Sequence, residues 1–531
     1  MDLKEPSVHV SQKSRTSTSI SNQMFKQHKT LDSIMQKTTI DPVSQLSSAY
    51  FWPLIITTAV EVFHQLLVIT MTWNYVGRDA VEQMVCAFPV ILIITKLIPR
   101  AIAQGSIANM IRYLTDNQVK RADEVFTYQI LSQVIYFIIA VFIAFIFGLQ
   151  GLKIFNITGD DYISTYIGVM LSVGTLVEIF GAAQTQFYLF EGDTWMYALS
   201  NIATLLLQQS LTLLSIQHIL SQQRYITGVE MTLIPFLIGH IVGALPLVGF
   251  NLLRFQDFKA TTFSAVIRLK MKYLQVFNLT ELLHTIYNGT LRSLEQVIQP
   301  IVYFGFQVYN SKFNTHPTDA AVSHIGSHLF IMGMLILQFP TMAFQMVAIY
   351  TISSNNLMKK YIRTKELIFR TVIWGLICEA IVAILVSSVD SIITFFLPAS
   401  KSEEVDFILR FTSEYTDKLN FTGVLTFFYY ISVILLNIER KWPIEITGIA
   451  FYFVMTLIMF LVMASSNGTG ANTAIVSYWC DVTIGIAGFL VLAEKFIEIM
   501  QLAKIELRRL KKKKRQEENG IIAEKDDGKG E

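Results

Sequence analysis

Ionisable and amide side chains recur at helical spacing inside apolar stretches of this chain. The longest such stripe consists of His284, Asn288, Arg292, Glu295 and Gln299. Steps of three and four residues place them on one face of a helix. A charged side chain inside a bilayer costs about 2.5–3.5 kcal/mol on insertion scales, and such residues usually face a protein interior or a water-filled cavity. The stripe therefore predicts a site that binds a polar substrate or exchanges an ion, and the alternative is an Arg292–Glu295 pair that only fixes packing.

Basic side chains share a second helix face, where Lys96, Arg100 and Gln104 are spaced by four residues. We expect them to line a hydrated cavity whose charge is balanced by Glu61 or Glu178. A binding site for an anionic substrate is one alternative. Snorkelling of the two long basic side chains toward the membrane surface is the other.

Acidic residues supply further candidates for ion exchange. Glu61 lies on a polar helix face with Thr58, Gln65 and Thr72, so it is either a protonatable group of a transport site or a partner in a structural pair. Glu379 and Asp481 lie deep in other apolar stretches. We expect them to join a second site in the other half of the chain.

No sequence pattern typical of catalysis or metal binding accompanies these residues. The sequence has no His-rich cluster, no nucleophile elbow and no phosphate-binding glycine loop, and its three cysteines form no CxxC pair. We therefore predict a protein that is not an enzyme and needs no cofactor or metal. A polytopic membrane enzyme, such as an acyltransferase, would need a His/Asp or His/Asn cluster near one interface.

Membrane-spanning helices are the elements that must position these residues. The 531 residues are 52% hydrophobic and only 15% charged, whereas soluble domains carry about 25% charged residues. The net charge of +2 implies no nucleic-acid partner. Apolar stretches of about 20 residues or more predict twelve spans, near residues 50–73, 81–112, 124–148, 162–190, 195–219, 230–253, 275–308, 321–352, 366–389, 405–437, 443–465 and 472–500.

Lysine and arginine are concentrated in the loops that follow the even-numbered spans and in the two tails. The positive-inside rule then predicts that both termini face the cytoplasm. We expect an integral multi-pass protein of the plasma membrane or an organellar membrane, monomeric and in contact with the lipid bilayer.

A weak internal repeat divides the chain into two halves. Pro99 and Gln104 recur as Pro340 and Gln345 with the same spacing, and a basic run follows each pair. Repeats of this kind are common in secondary transporters, with the substrate site between the halves. We predict a cytoplasmic tail (1–48), an N-lobe of six helices (49–253), a linker (254–272), a C-lobe of six helices (273–503) and a basic, polar tail (504–531).

The arrangement resembles the multidrug and toxic compound extrusion (MATE) transporters and their wider superfamily of multidrug, oligosaccharidyl-lipid and polysaccharide transporters. The matching features are Pro53 and the runs 75–80 (YVGRDA), 104–106 (QGS), 121–124 (RADE) and 190–194 (FEGDT). The resemblance implies two six-helix lobes forming a V. It also implies export of organic, often cationic compounds in exchange for protons or sodium.

Two positions depart from the family, and one matches a residue of some members. Thr72 stands where many prokaryotic members carry an ion-binding aspartate, so that Glu61 would have to replace it. The turn after the fourth helix has Phe190-Glu191 in place of the usual arginine. Some members have an essential glutamate in helix seven, and Glu295 is its counterpart by this resemblance.

We therefore predict a secondary-active antiporter that exports small organic compounds or xenobiotics. The alternative within the superfamily is a lipid-linked oligosaccharide flippase, which a larger cationic cavity around Lys96 and Arg100 would favour. Candidate residues for transport and coupling are Glu295, Glu61, Arg292, Lys96, Arg100, Gln104, Glu379 and Asp481.

Overall fold

The computed structural model describes residues 38–75, 78–150, 161–221, 234–252, 272–275, 277–313, 336, 339–386, 422–438, 442–465 and 470–527. Regular structure within these ranges is helical, and they contain no β-strand. All of the predicted linker (254–272) except residue 272, and residues 1–37 of the predicted N-terminal tail, fall outside them.

Within these described ranges, six helices follow one another in the first half of the chain. They are α1 (Val43–Tyr75), α2, α3 (Val119–Gln150), α4, α5 (Thr194–Ser221) and α6 (Ile234–Leu252). Helix α2 runs through Arg78–Ile91, a π-helical turn at Leu92–Leu97 and Ile98–Thr115. Helix α4 runs through Asp161–Val169, a second π-helical turn at Met170–Gly174, Thr175–Phe180 and Ala182–Phe190.

Six further helices occupy the second half. They are α7 (Leu279–Phe313), α8, α9 (Tyr361–Val386), α10 (Thr422–Ile438), α11 (Trp442–Ser465) and α12 (Gly470–Asp527). The described part of α8 is helical over 339–347 and continues through a π-helical turn at Ala348–Ile352 and Ser353–Leu357. A short helix, Lys272–Gln275, precedes α7.

The expected all-α, polytopic membrane architecture is confirmed. Seven helices of the described ranges are long and apolar enough to cross a membrane, namely α1 to α6 and α9. Shorter apolar stretches lie at Val424–Leu436 in α10 and Ile446–Met455 in α11.

Helix α12 extends well beyond the predicted span, which ends near residue 500. It continues as far as Asp527 through the basic run 511–515. This stretch is rich in Lys, Arg, Glu and Leu, all of which favour helix, and it contains no proline. Much of the predicted polar tail is therefore helical.

The same backbone turn closes α2 and α8. The amide of Gln118 bonds the carbonyl of Tyr113 at 2.7 Å after α2, and that of Lys360 bonds Asn355 at 3.0 Å after α8. Asn117 and Lys359 each adopt a left-handed conformation, with φ of 57° and 58°. These are the features of a helix-ending Schellman motif.

Along the sequence, Asn117 and Lys359 are separated by one residue more than Pro99 and Pro340 are. The π-helical turn at Ala348–Ile352 lies between Gln345 and the second turn. A π-helical turn accommodates one more residue than an α-helical turn. From the Pro-x4-Gln pair to the closing turn, α2 and α8 therefore keep the same register apart from this one insertion.

Aromatic side chains join the two halves in one core. Phe51 of α1 packs against Phe344 of α8, with ring centroids 5.0 Å apart, and Tyr50 stacks on Tyr350 at 6.3 Å. Phe344 in turn meets Phe427 of α10 at 5.9 Å. All five side chains are buried.

Helices α2 and α7 cross at closest range through two glycines. A β-carbon added at Gly105 would lie 2.8 Å from the backbone carbonyl carbon of Asn288. One added at Gly289 would lie 3.2 Å from the α-carbon of Ile102. Small residues permit such a close backbone approach between membrane helices. The crossing fixes how the first half meets the second.

Gly105→Ala should lower the midpoint of thermal unfolding in detergent, because the new methyl group meets rigid backbone. Overpacking of this kind costs about 1–3 kcal/mol. The matched control is Gly168→Ala in α4, where an added β-carbon meets nothing within 4 Å and where alanine favours helix. If both variants melt at the wild-type temperature, α2 and α7 do not cross at this distance.

Candidate functional site

A cavity of about 1030 Å³ lies between the two halves of the helix bundle. The first half contributes polar groups from two neighbouring helices, and the second half contributes amides, a hydroxyl and apolar side chains. Its lining includes Thr58, Glu61 and Gln65 of α1, Lys96, Arg100 and Gln104 of α2, Gln296 of α7, Thr341, Met342, Gln345 and Met346 of α8, and Tyr430 of α10.

Arg100 holds the charged wall of this cavity together. Its Nη1 lies 2.9 Å from a carboxylate oxygen of Glu61 in α1. Its Nε and Nη2 lie 3.1 and 3.0 Å from Oε1 of Glu178 in α4. The ammonium nitrogen of Lys96 is 3.7 Å from Glu61. Two bases and two acids thus form one cluster with no net charge.

The polar face predicted for α1 is only partly directed at the cavity. Thr58, Glu61 and Gln65 line it. Thr72 does not, because it is fully buried and its hydroxyl bonds the Val68 carbonyl at 2.8 Å. The position at which the resemblance implies an ion-binding acid is therefore packed inside the first half of the bundle.

A network of amides connects the two halves at the floor of the cavity. Oε1 of Gln104 accepts hydrogen bonds from Nε2 of Gln296 at 2.7 Å and from Nε of Arg292 at 3.3 Å. Its Nε2 donates to Gln186 of α4 at 3.3 Å. The hydroxyl of Tyr350 donates to the same Gln186 oxygen at 3.1 Å. Gln104 is thus bonded to α4 and α7 at once.

Further polar contacts between the halves continue along α2 toward its C-terminal end. Nδ2 of Asn288 donates to Oδ1 of Asn109 at 2.7 Å. The hydroxyl of Tyr113 donates to Glu281 at 2.6 Å. Together with the glycine crossing, these bonds close the bundle at the end predicted to face the cytoplasm.

The stripe predicted on α7 is divided between two environments. Asn288 and Arg292 are buried against α2, as described above, whereas His284 is exposed. The side chains of Glu295 and Gln299 lie outside the described part of the chain, so the predicted role of Glu295 stays a prediction.

Of the two deep acids predicted in the second half, Glu379 can be placed. Only 1% of it is exposed, and the hydroxyl of Thr341 bonds its Oε1 at 2.5 Å. Thr341 itself lines the cavity. Glu379 thus lies behind α8, one hydrogen bond away from the cavity. The side chain of Asp481 lies outside the described residues.

Several residues of the network were not singled out from the sequence. Asn109, Gln186 and Gln296 lie within α-helical segments and Tyr350 lies in the π-helical turn of α8, and none belongs to a stripe of charges. The one available signal is the run Gln184-Thr185-Gln186, which places three buried polar residues in succession within α4.

Comparison with known proteins shows where this architecture recurs. No family model matches the chain. No curated protein sequence matches it. Solved structures do match: a MATE structure in complex with MaL6 covers 88% of this chain and 99% of its own, with 15% identity and a TM-score of 0.64.

The chain has the MATE fold. Another match is the Vibrio cholerae MATE transporter VcmN, at 14% identity and a TM-score of 0.61, covering 88% of this chain and 99% of its own. A transporter of the wider superfamily from Pyrococcus furiosus also shares the MATE fold, at 14% identity, a TM-score of 0.63 and coverage of 88% and 98%. The reverse polarity of that transporter's binding pocket suggests a different function for it.

Arg100→Gln should destabilise the protein strongly, because Glu61 and Glu178 would lose their common partner. Breaking a buried ion pair by removing one partner costs about 3–5 kcal/mol. The matched control is Arg370→Gln, which breaks the exposed Arg370–Glu366 pair of α9 and should cost about 1 kcal/mol or less.

Thermal unfolding of the purified protein measures both variants. The double variant Arg100→Gln/Glu178→Gln should recover part of the lost stability, since it removes one uncompensated acid. Equal melting temperatures for Arg100→Gln and Arg370→Gln would show that the cluster is not a buried pair.

Proposed function

We propose that this multi-pass membrane protein is a secondary-active transporter that exports small organic compounds through the cavity between its halves, in exchange for an ion. The observation that carries the proposal is the cavity itself, with polar atoms that no described residue satisfies. Oε1 of Gln65 and Nε2 of Gln345 are buried without a hydrogen-bond partner among the described residues. They come from opposite halves and both line the cavity. Buried polar groups normally have partners, so a bound molecule would supply them.

The cavity suits a molecule with an apolar body and a polar end. Met342, Met346 and Tyr430 form an adaptable apolar wall opposite the charged one. A cationic compound would have to compete with Arg100 and Lys96 for Glu61.

Transport by alternating access requires the two halves to separate at one end and then at the other. The contacts between the halves toward the predicted cytoplasmic end are single hydrogen bonds, such as Asn109–Asn288, Gln104–Gln296 and Tyr113–Glu281. A typical hydrogen bond contributes only about 0.5–1.5 kcal/mol net. Such contacts can therefore hold a closed state and still be exchanged for water when the halves move.

Glu379 is the described acid best placed to carry the exchanged proton. It is buried, its Oε2 has no partner within the described residues, and burial of an unpaired carboxylate is costly. The bond from Thr341 links its charge state to the cavity wall. Glu61, by contrast, is held by two bases. Glu295 and Asp481 stay candidates on sequence grounds, and sodium is the alternative ion.

The flippase alternative would be favoured by a cationic cavity around Lys96 and Arg100. Both bases instead contact acids, and the described cavity has no excess of positive charge once Glu178 is counted. The balance of charge therefore favours the exporter.

Glu379→Gln should abolish accumulation of substrate against its gradient in proteoliposomes, because the amide keeps the shape of the side chain but cannot exchange a proton. Downhill exchange of substrate should survive. The matched control is Glu366→Gln on the same helix, at a side chain that is 41% exposed, and it should transport normally.

The assay imposes proton and sodium gradients separately on vesicles that contain a fluorescent organic cation or its neutral analogue. If Glu379→Gln accumulates substrate at the wild-type rate under a proton gradient, Glu379 is not the coupling acid. Glu295→Gln is then the next variant to test.

A further inference from the structure

A second cavity, of about 860 Å³, lies within the first half of the bundle, among α1, α2, α4, α5 and α6. Its ionisable lining groups include Lys96 and two histidines, His64 and His240. None of the described residues that line it is an aspartate or glutamate. The charged side chain that lines this cavity is therefore Lys96, whereas the cavity between the halves has both bases and an acid in its lining.

Lys96 lies at the wall shared by the two cavities, since it lines both. It belongs to the π-helical turn Leu92–Leu97, and such turns are frequent at functional sites. Its ammonium carries three donors. The contact with Glu61, at 3.7 Å, is longer than a hydrogen bond, and no hydrogen bond joins Lys96 to another described residue.

Glu61 does not depend on Lys96, because Arg100 contacts the Glu61 carboxylate at 2.9 Å. The nearest acid to Lys96 is thus already engaged by a closer base. A molecule with an anionic group could approach Lys96 to hydrogen-bond distance from the second cavity and leave the Glu61–Arg100 pair intact.

Neutral polar groups adjoin Lys96 in the same cavity. Gln65 lines it with a buried Oε1 that has no partner among the described residues. The oxygen and nitrogen of such an amide can exchange places by rotation, so Gln65 can present a donor. Apolar side chains, Phe88, Ile91 and Phe236 among them, line other parts of the cavity.

We propose that this cavity binds an amphipathic organic anion, with its carboxylate or phosphate on Lys96 and its apolar chain against the aromatic and aliphatic wall. The ligand chemistry is a singly charged head on a hydrocarbon tail, supplied either from solution or as a lipid. The site shares Lys96 and Gln65 with the cavity between the halves, but binding there needs neither Glu379 nor separation of the halves.

The test is calorimetric titration of the full chain, in phosphatidylcholine nanodiscs, with decanoate. Saturable binding to one site is expected, and Lys96→Met should weaken it about tenfold or more, as expected for loss of a hydrogen bond to a charged group. Glu61→Gln should tighten it, because the competing carboxylate is gone. Lys504→Met, at an exposed lysine near the C-terminal end of the chain, should bind as the wild type does.

Decanol serves as a second probe that has the same chain length as decanoate but an uncharged head. It should not displace decanoate from the cavity. Thermal unfolding of each variant identifies any that fail to fold. If Lys96→Met does not fold, the decanoate affinity of Glu61→Gln and the comparison of decanoate with decanol still test the proposal. Unchanged decanoate affinity in folded Lys96→Met, weaker binding in Glu61→Gln, or equal binding of decanol overturns the proposal.

A second arm identifies the source of the anion. Nanodiscs that contain phosphatidic acid should lower the apparent affinity for decanoate if a lipid head occupies the site. Unchanged affinity supports a ligand from solution. Because both arms measure equilibrium binding, their result does not depend on whether the transport assay succeeds.

Discussion

Arg100 connects three helices of an apolar bundle, and the geometry of both cavities depends on that connection. A guanidinium has donors on several nitrogens in a fixed planar arrangement, so one side chain can serve Glu61 on α1 and Glu178 on α4 from its place on α2. Inside a membrane protein, an uncompensated charge at any of these positions would be costly. The need for pairing therefore fixes the relative rotation of α1, α2 and α4, and with it the wall that separates the two cavities.

The contacts between the two halves are of a different kind. Gly105 and Gly289 bring α2 and α7 close together, and the polar bonds around them include the amide pairs Asn109–Asn288 and Gln104–Gln296. Ion pairs join helices within the first half, whereas the polar contacts to the second half are hydrogen bonds in which at least one partner is neutral. This difference suits two halves that move against each other. Exposing a neutral hydrogen-bonding group to water costs less free energy than removing the partner of a buried charge.

Helical periodicity in the sequence was sufficient to predict which side chains share a face of one helix, as with Lys96, Arg100 and Gln104. It was not sufficient to predict which face of a neighbouring helix they meet. Thr72 belongs to the predicted polar stripe of α1, yet its hydroxyl is satisfied by its own helix and it packs away from the cavity. The bond between Gln104 and Gln186 depends on the relative rotation of α2 and α4, which no spacing within either segment encodes.

The π-helical turns explain another part of the difference between what the sequence predicts and what the structure shows. Each adds a residue to one helical turn, so the face of α2 before Leu92 is rotated relative to the face after Leu97, and Lys96 comes to line both cavities. Periodicity alone assumes a regular helix and does not detect this shift. The repeat between the halves was nevertheless visible from the Pro-x4-Gln pairs, because the insertion in α8 follows Gln345.

The central claim, that compounds pass between halves that separate at the Asn109–Asn288 contact, is tested most directly by locking that contact. Asn109→Cys and Asn288→Cys are introduced together in a background in which Cys86, Cys378 and Cys480 are replaced, and a short bis-methanethiosulfonate reagent, which links the two cysteines through reducible disulfides, is added to proteoliposomes. Substrate flux should fall to the level of empty vesicles, return on reduction, and stay unchanged in either single variant. Wild-type flux through the fully cross-linked protein would contradict this account.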